Sequence, residues 1–86
     1  MPIPHLANRA EELRQEQALL VKAALDIEQG WGRLRNQQDL VDQLQSAGRD
    51  SQQAERLVAL MKQTLVEWER HRRLIEQRVA HLASGL

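Results

Sequence analysis

The side chains that could do chemistry are few and scattered. His5, His71 and His81 are the only imidazoles of an 86-residue chain that has no cysteine, so a thiol nucleophile, a disulfide and a thiolate metal site are excluded. Ten residues separate His71 from His81, which sets them about 80° apart around a helix, not on one face. Glu67 and His71, one turn apart, could share a metal ion, but two ligands alone make a poor site. No Ser-His-Asp arrangement, Gly-rich phosphate loop or buried carboxylate pair can be assembled, so neither catalysis nor a cofactor is expected. Arg70-His71-Arg72-Arg73, with Arg78, forms a basic cluster of the kind that contacts phosphates. Glu67, Glu69 and Glu76 interleave with it, and Trp68 is the one aromatic nearby to stack on a base, so a solvated charged face is the expectation over a nucleic-acid contact.

The residues around these candidates are helix formers. Twelve Lys and Arg balance twelve Asp and Glu, so no net field draws the chain toward nucleic acid or acidic lipid. Leucine, alanine, glutamine, glutamate and arginine dominate, while Phe and Tyr are missing and Ile and Val are scarce. An all-α fold follows. Met-Pro-Ile-Pro-His lacks the basic segment and apolar run of a secretory signal, and fully apolar stretches such as Ala18 to Val21, or the longer Leu57 to Met61, are too short for a bilayer. A soluble cytoplasmic protein with no membrane contact is the default expectation.

Punctuation divides the chain into two helices in a single domain. Pro2 and Pro4 hold the first residues extended, and Asn8 with Glu11 fits a capping box, so helix 1 is expected to start between His5 and Asn8. Ala47-Gly48-Arg49-Asp50 is the first strong stop: Gly48 suits the left-handed position after a helix, and Asp50, with Gln53 three residues on, can cap the next. The spans expected are about 5–47, a turn at 48–50, and about 51–84. Gly30-Trp31-Gly32 costs roughly 2 kcal/mol of helix propensity relative to alanine, and a break there would give a three-helix bundle. The apolar spacing runs through it without slipping, which favours a continuous helix.

That spacing gives Leu6, Ala10, Leu13, Gln17, Leu20, Ala24, Ile27, Trp31, Leu34, Gln38 and Val41 on helix 1. Helix 2 answers with Ala54, Val58, Met61, Leu65, Trp68, Arg72, Ile75, Val79, Leu82 and Leu86. Two seven-residue repeats joined by a short loop predict an antiparallel, coiled-coil-like hairpin whose layers pair positions summing to about 99. Trp31 would then meet Trp68, with Gly30 and Gly32 making room for two indoles, and Arg72 would lie opposite Ile27 with its methylene stem packed and its head in water. Polar Gln17, Gln38 and Arg72 in this seam either fix register and partner choice or occupy a half-exposed seam.

The segment Arg33-Leu34, Gln37, Leu40-Val41, Leu44, Gly48, Asp50-Ser51, Ala54-Glu55 and Leu57-Val58 resembles short, uncharacterised helical proteins of rhizobia and related proteobacteria, which carry an R-I-x-x-Q-x-x-L-I-x-x-L-x-x-x-G-x-D-T-x-x-A-like run. The likeness covers less than half the chain, with Arg49 before the Asp and Ser51 in place of Thr. It implies a helical hairpin and brings no activity with it.

A second apolar stripe is left over. Leu19, Ala23, Leu40, Leu44, Leu57, Leu60 and Leu74 fall on one flank of both helices, while Arg35, Asp42, Glu55, Lys62, Glu69 and Glu76 fall on the other. A hairpin buries one stripe per helix, so these seven are the expected partner or dimer interface. Self-association of two hairpins into a four-helix bundle, as a non-enzymatic structural or adaptor protein, is the leading functional expectation. A small chaperone or regulator that captures another protein's helix is the alternative, and a weak nucleic-acid binder through Arg70–Arg78 a further one.

Overall fold

A computed structural model describes residues 4–85, which form α1 (Pro4–Ser46) and α2 (Gln52–Ser84). The two run antiparallel as a rod of 72 × 15 × 14 Å, an all-α helical hairpin with no strand among the described residues. Helix α1 passes through Gly30-Trp31-Gly32 unbroken, so the three-helix alternative is not adopted. It begins at Pro4, ahead of the His5–Asn8 start expected, so Pro4 belongs to the first turn and not to extended chain; its fixed φ and missing N–H suit that place. Pro2 and Leu86 lie outside the described residues.

The turn is built as its residues dictate. Gly48 takes φ of 68°, and the Arg49 N–H donates to the Leu44 carbonyl (2.8 Å) while the Gly48 N–H donates to the Gln45 carbonyl (3.0 Å). This crossed pair of bonds satisfies carbonyls that the end of α1 would otherwise leave open. Asp50 Oδ1 accepts the Gln52 N–H at 2.9 Å. The buried Ser51 is the residue that enters α2, and its carbonyl accepts the Glu55 N–H, with Gln45 Nε2 reaching both the Ser51 hydroxyl (3.5 Å) and the Glu55 carboxylate (3.2 Å). Gln45 therefore ties the two helices at the loop. At the open end Arg9 does the same: its guanidinium donates to the carbonyls of His81 (3.2 Å) and Leu82 (3.4 Å), a cation on the negative end of the α2 dipole.

The core is narrow. Ile27, Leu34 and Leu65 are buried together, with Val58, Met61 and Trp68 packed against them, and Ala54 and Ile75 extend the line. Helix α2 presents the seam its spacing predicts. Helix α1 shares Leu13, Leu20, Ile27, Leu34 and Val41 with the prediction but turns the other neighbouring stripe inward. Glu16, Ala23, Gln37 and Leu44 are half-buried and Gly30 is fully so, whereas of the predicted stripe Gln17, Ala24 and Trp31 are exposed and Ala10 and Gln38, near the two ends, stay half-buried. The two indoles therefore do not share a layer.

Gly30 explains the choice. A Cβ added there would come 2.8 Å from Leu65 Cδ2 and 3.2 Å from Trp68 Cζ3, so α2 packs directly onto the bare glycine backbone. Trp31 in that place would hold the helices apart. Gly32 has nothing nearer than the Arg35 guanidinium at 4.0 Å, so only one of the two glycines has a packing role. With Gly30 facing Leu65, position numbers in a layer sum to about 95 rather than 99. Ala23, not Ile27, thereby comes opposite Arg72, whose head folds back onto Glu69 (2.9 Å) and Glu76 (3.5 Å) of its own helix.

Candidate interaction surface

The rotation of α1 opens a groove along one side of the seam. Nearest the loop it is lined by Gln37, Leu40, Leu44, Ala54 and Leu57. The next stretch adds Gly30, Arg33, Leu60, Thr64 and Trp68 to Leu57. Beyond Trp68 come Leu19, Ala23, Asp26, His71 and Ile75, and at the open end Glu12, Glu16, Leu74, Arg78 and His81. Leu57 and Trp68 each line two neighbouring stretches, which makes the first three one continuous depression. The other side of the seam carries a polar hollow, of Gln38, Asp39, Asp42 and Glu55 around Val41 and Val58.

All seven residues of the second stripe line this groove. Leu19, Leu40, Leu57, Leu60 and Leu74 stand 41–58% exposed along it. Ala23 and Leu44 are half-buried, because the inward stripe of α1 includes them, and they form floor where a separate flank was expected. Trp68, Asp26, Arg33 and His71 join the surface unforeseen. Their signal was in the repeat, since Asp26 and Arg33 share the register position of Leu19 and Leu40, but it depended on knowing which stripe of α1 turns inward. Trp31, Val21, Leu25 and Val66 are also exposed, as single apolar residues commonly are.

Part of the charge along the hairpin is locally matched. Of the basic cluster, Arg70 pairs with Glu67 (3.6 Å), Arg72 with Glu69 and Glu76, and Arg78 with Glu16 across the helices (3.2 Å). These three arginines are paired with carboxylates, which weighs against a phosphate-binding face, and Arg73 is the member of the cluster in no ion pair among the described residues. The Arg14 guanidinium, hydrogen-bonded to Glu11, holds that carboxyl below the usual glutamate range, helped by Gln15. Among the described residues no three metal-ligating side chains converge, and Glu67 with His71 gains no third ligand. Among the described residues no helix is long and apolar enough to cross a membrane.

In comparisons with known proteins the chain matches no family model, no curated protein and no solved structure.

Proposed function

We propose that this chain is a non-enzymatic interaction module, a structural or adaptor protein that associates with a second copy of itself through the leucine-lined groove to form a four-helix bundle. One observation carries the reading: five leucines on one side of a two-helix rod remain about half exposed, while the opposite hollow is polar. Fully burying a leucine contributes about 1.5–3 kcal/mol, so covering the remaining half contributes about 1 kcal/mol each. A two-fold contact covers both sets, about 10 kcal/mol in all, which is of the size needed to offset the roughly 4–15 kcal/mol that association costs.

Light scattering after size exclusion, combined with thermal melts over a hundredfold range of protein concentration, tests this. A dimer gives twice the 9.9 kDa chain mass and a melting temperature that rises with concentration. A monomer at high concentration, with a concentration-independent melt, would remove self-association and leave the groove for the helix of a different protein.

A further inference from the structure

We infer that the two hairpins pack with their loops at opposite ends, about a two-fold axis crossing the rod where Gly30 faces Leu65, so that Arg33 of each copy meets Asp26 of the other. The inference rests on the self-association proposed above and specifies its geometry. On α1 the groove is lined at seven-residue intervals by Leu19, Asp26, Arg33 and Leu40. An axis between Gln29 and Gly30 exchanges Leu19 with Leu40 and Asp26 with Arg33, so apolar meets apolar and acid meets base. On α2 an axis between Leu65 and Val66 exchanges Leu57 with Leu74. These two levels are the same layer of the hairpin, because Gly30 packs on Leu65. One operation therefore pairs the leucines and the charges of α1 and Leu57 with Leu74 on α2, and it lays Leu60 against the His71 ring of the partner.

The charge on the groove agrees with it. Among the ion pairs of the described residues none includes Arg33, Glu12 or Arg49, and Asp26 is held by the exposed Lys22 one turn before it on its own helix (2.9 Å), a contact that leaves the carboxylate open to a second cation. The same axis pairs Arg33 with Asp26 and carries the loop, with Arg49 and Asp50, over the open-end hollow lined by Glu12 and His81. The overlap runs from the loop to about residue 12, roughly 50 Å at 1.5 Å per residue. Across a rod about 15 Å wide this gives each copy a contact near the 800 Å² of a standard interface. With the loops together instead, the same register would bring Asp26 level with Trp68 and His71 of the partner and Arg33 level with its Leu60 and Thr64, so Arg33 would gain no carboxylate.

Charge reversal with complementation distinguishes the arrangements. Asp26→Arg and Arg33→Asp, each alone, place like charges together twice in the opposed dimer and should weaken it at least tenfold. Mixed in equal amounts, the two variants should form a heterodimer of near-native strength, since every juxtaposed pair is then opposite in sign; recovery on mixing also shows that both are folded. Gln29→Cys, beside the axis, should cross-link to its own copy much faster than Glu28→Cys on the opposite flank. Failure of the mixture to recover, or equal cross-linking by the two cysteines, would overturn the opposed arrangement while leaving a dimer intact. An unmodified protein that is monomeric would instead sink the self-association reading beneath it.

Discussion

Replacing Gly30 and Gly32 by alanine, one at a time, separates helix propensity from packing. Both lie inside α1, and each substitution should gain about 1 kcal/mol because alanine costs less backbone entropy in a helix than glycine. At Gly32 nothing opposes the gain, since the new methyl meets nothing closer than 4.0 Å. At Gly30 it would arrive 2.8 Å from a methyl of Leu65, a side chain 3% exposed with little room to move, and 3.2 Å from the Trp68 ring. Forcing a methyl into such a contact typically costs 1–3 kcal/mol, which cancels or reverses the propensity gain. Gly32→Ala should thus raise the melting temperature by about 4–8 °C for a domain of this size, and Gly30→Ala should leave it unchanged or lower it. Circular-dichroism melts of both variants and the parent at one protein concentration make the comparison. Equal stabilisation by the two would show that Gly30 does not face α2, and the account of the seam would fall with it.

Other outcomes follow from the same geometry. Ala23→Cys with Arg72→Cys should close an intramolecular disulfide under mild oxidation, whereas Ala24→Cys with Ile75→Cys, the pair favoured by the outward stripe, should not; peptide mapping of the oxidised proteins decides. With Trp31→Phe the remaining Trp68 should be shielded from acrylamide, and more so as concentration rises. With Trp68→Phe the remaining Trp31 should be quenched freely at every concentration. Gly48→Ala forces a side chain into a φ of 68° and should destabilise the hairpin by about 1–2 kcal/mol, read as a lower denaturation midpoint.

The hairpin was legible because its signals were local and mutually consistent: Gly48 and Asp50 marked the turn, and α2 has one dominant apolar stripe. Helix α1 is different. Its apolar residues are spread round the cylinder, and Leu13, Leu20, Ile27, Leu34 and Val41 belong equally to two stripes, one completed by Ala10, Gln17, Ala24, Trp31 and Gln38, the other by Glu16, Ala23, Gly30, Gln37 and Leu44. Hydrophobicity favours the first, because Trp31 outweighs a glycine. Close approach favours the second, because the missing side chain of Gly30 lets Leu65 and Trp68 seat against the backbone. A residue's absence of side chain is invisible to a reading that sums apolar side chains. Leu19, Leu40, Leu57, Leu60 and Leu74 stay exposed in either register because they belong to neither seam, whereas Ala23 and Leu44 pass into the inward stripe of α1. Arg9 reaching the end of α2 and Gln45 bridging the loop are contacts of long flexible side chains, which no spacing rule anticipates.

The most direct test of the central claim is sedimentation equilibrium on the unmodified protein beside Leu40→Glu/Leu60→Glu. Both leucines are substantially exposed in the single hairpin, at 41% and 58%, so the double change spares the core and should leave helicity at low concentration intact. In a four-helix bundle the same carboxylates would be desolvated without partners. The account predicts a mass of twice 9.9 kDa for the unmodified chain and 9.9 kDa for the variant, both fully helical. A variant that remains a dimer, or an unmodified chain that sediments as a monomer throughout, would contradict it.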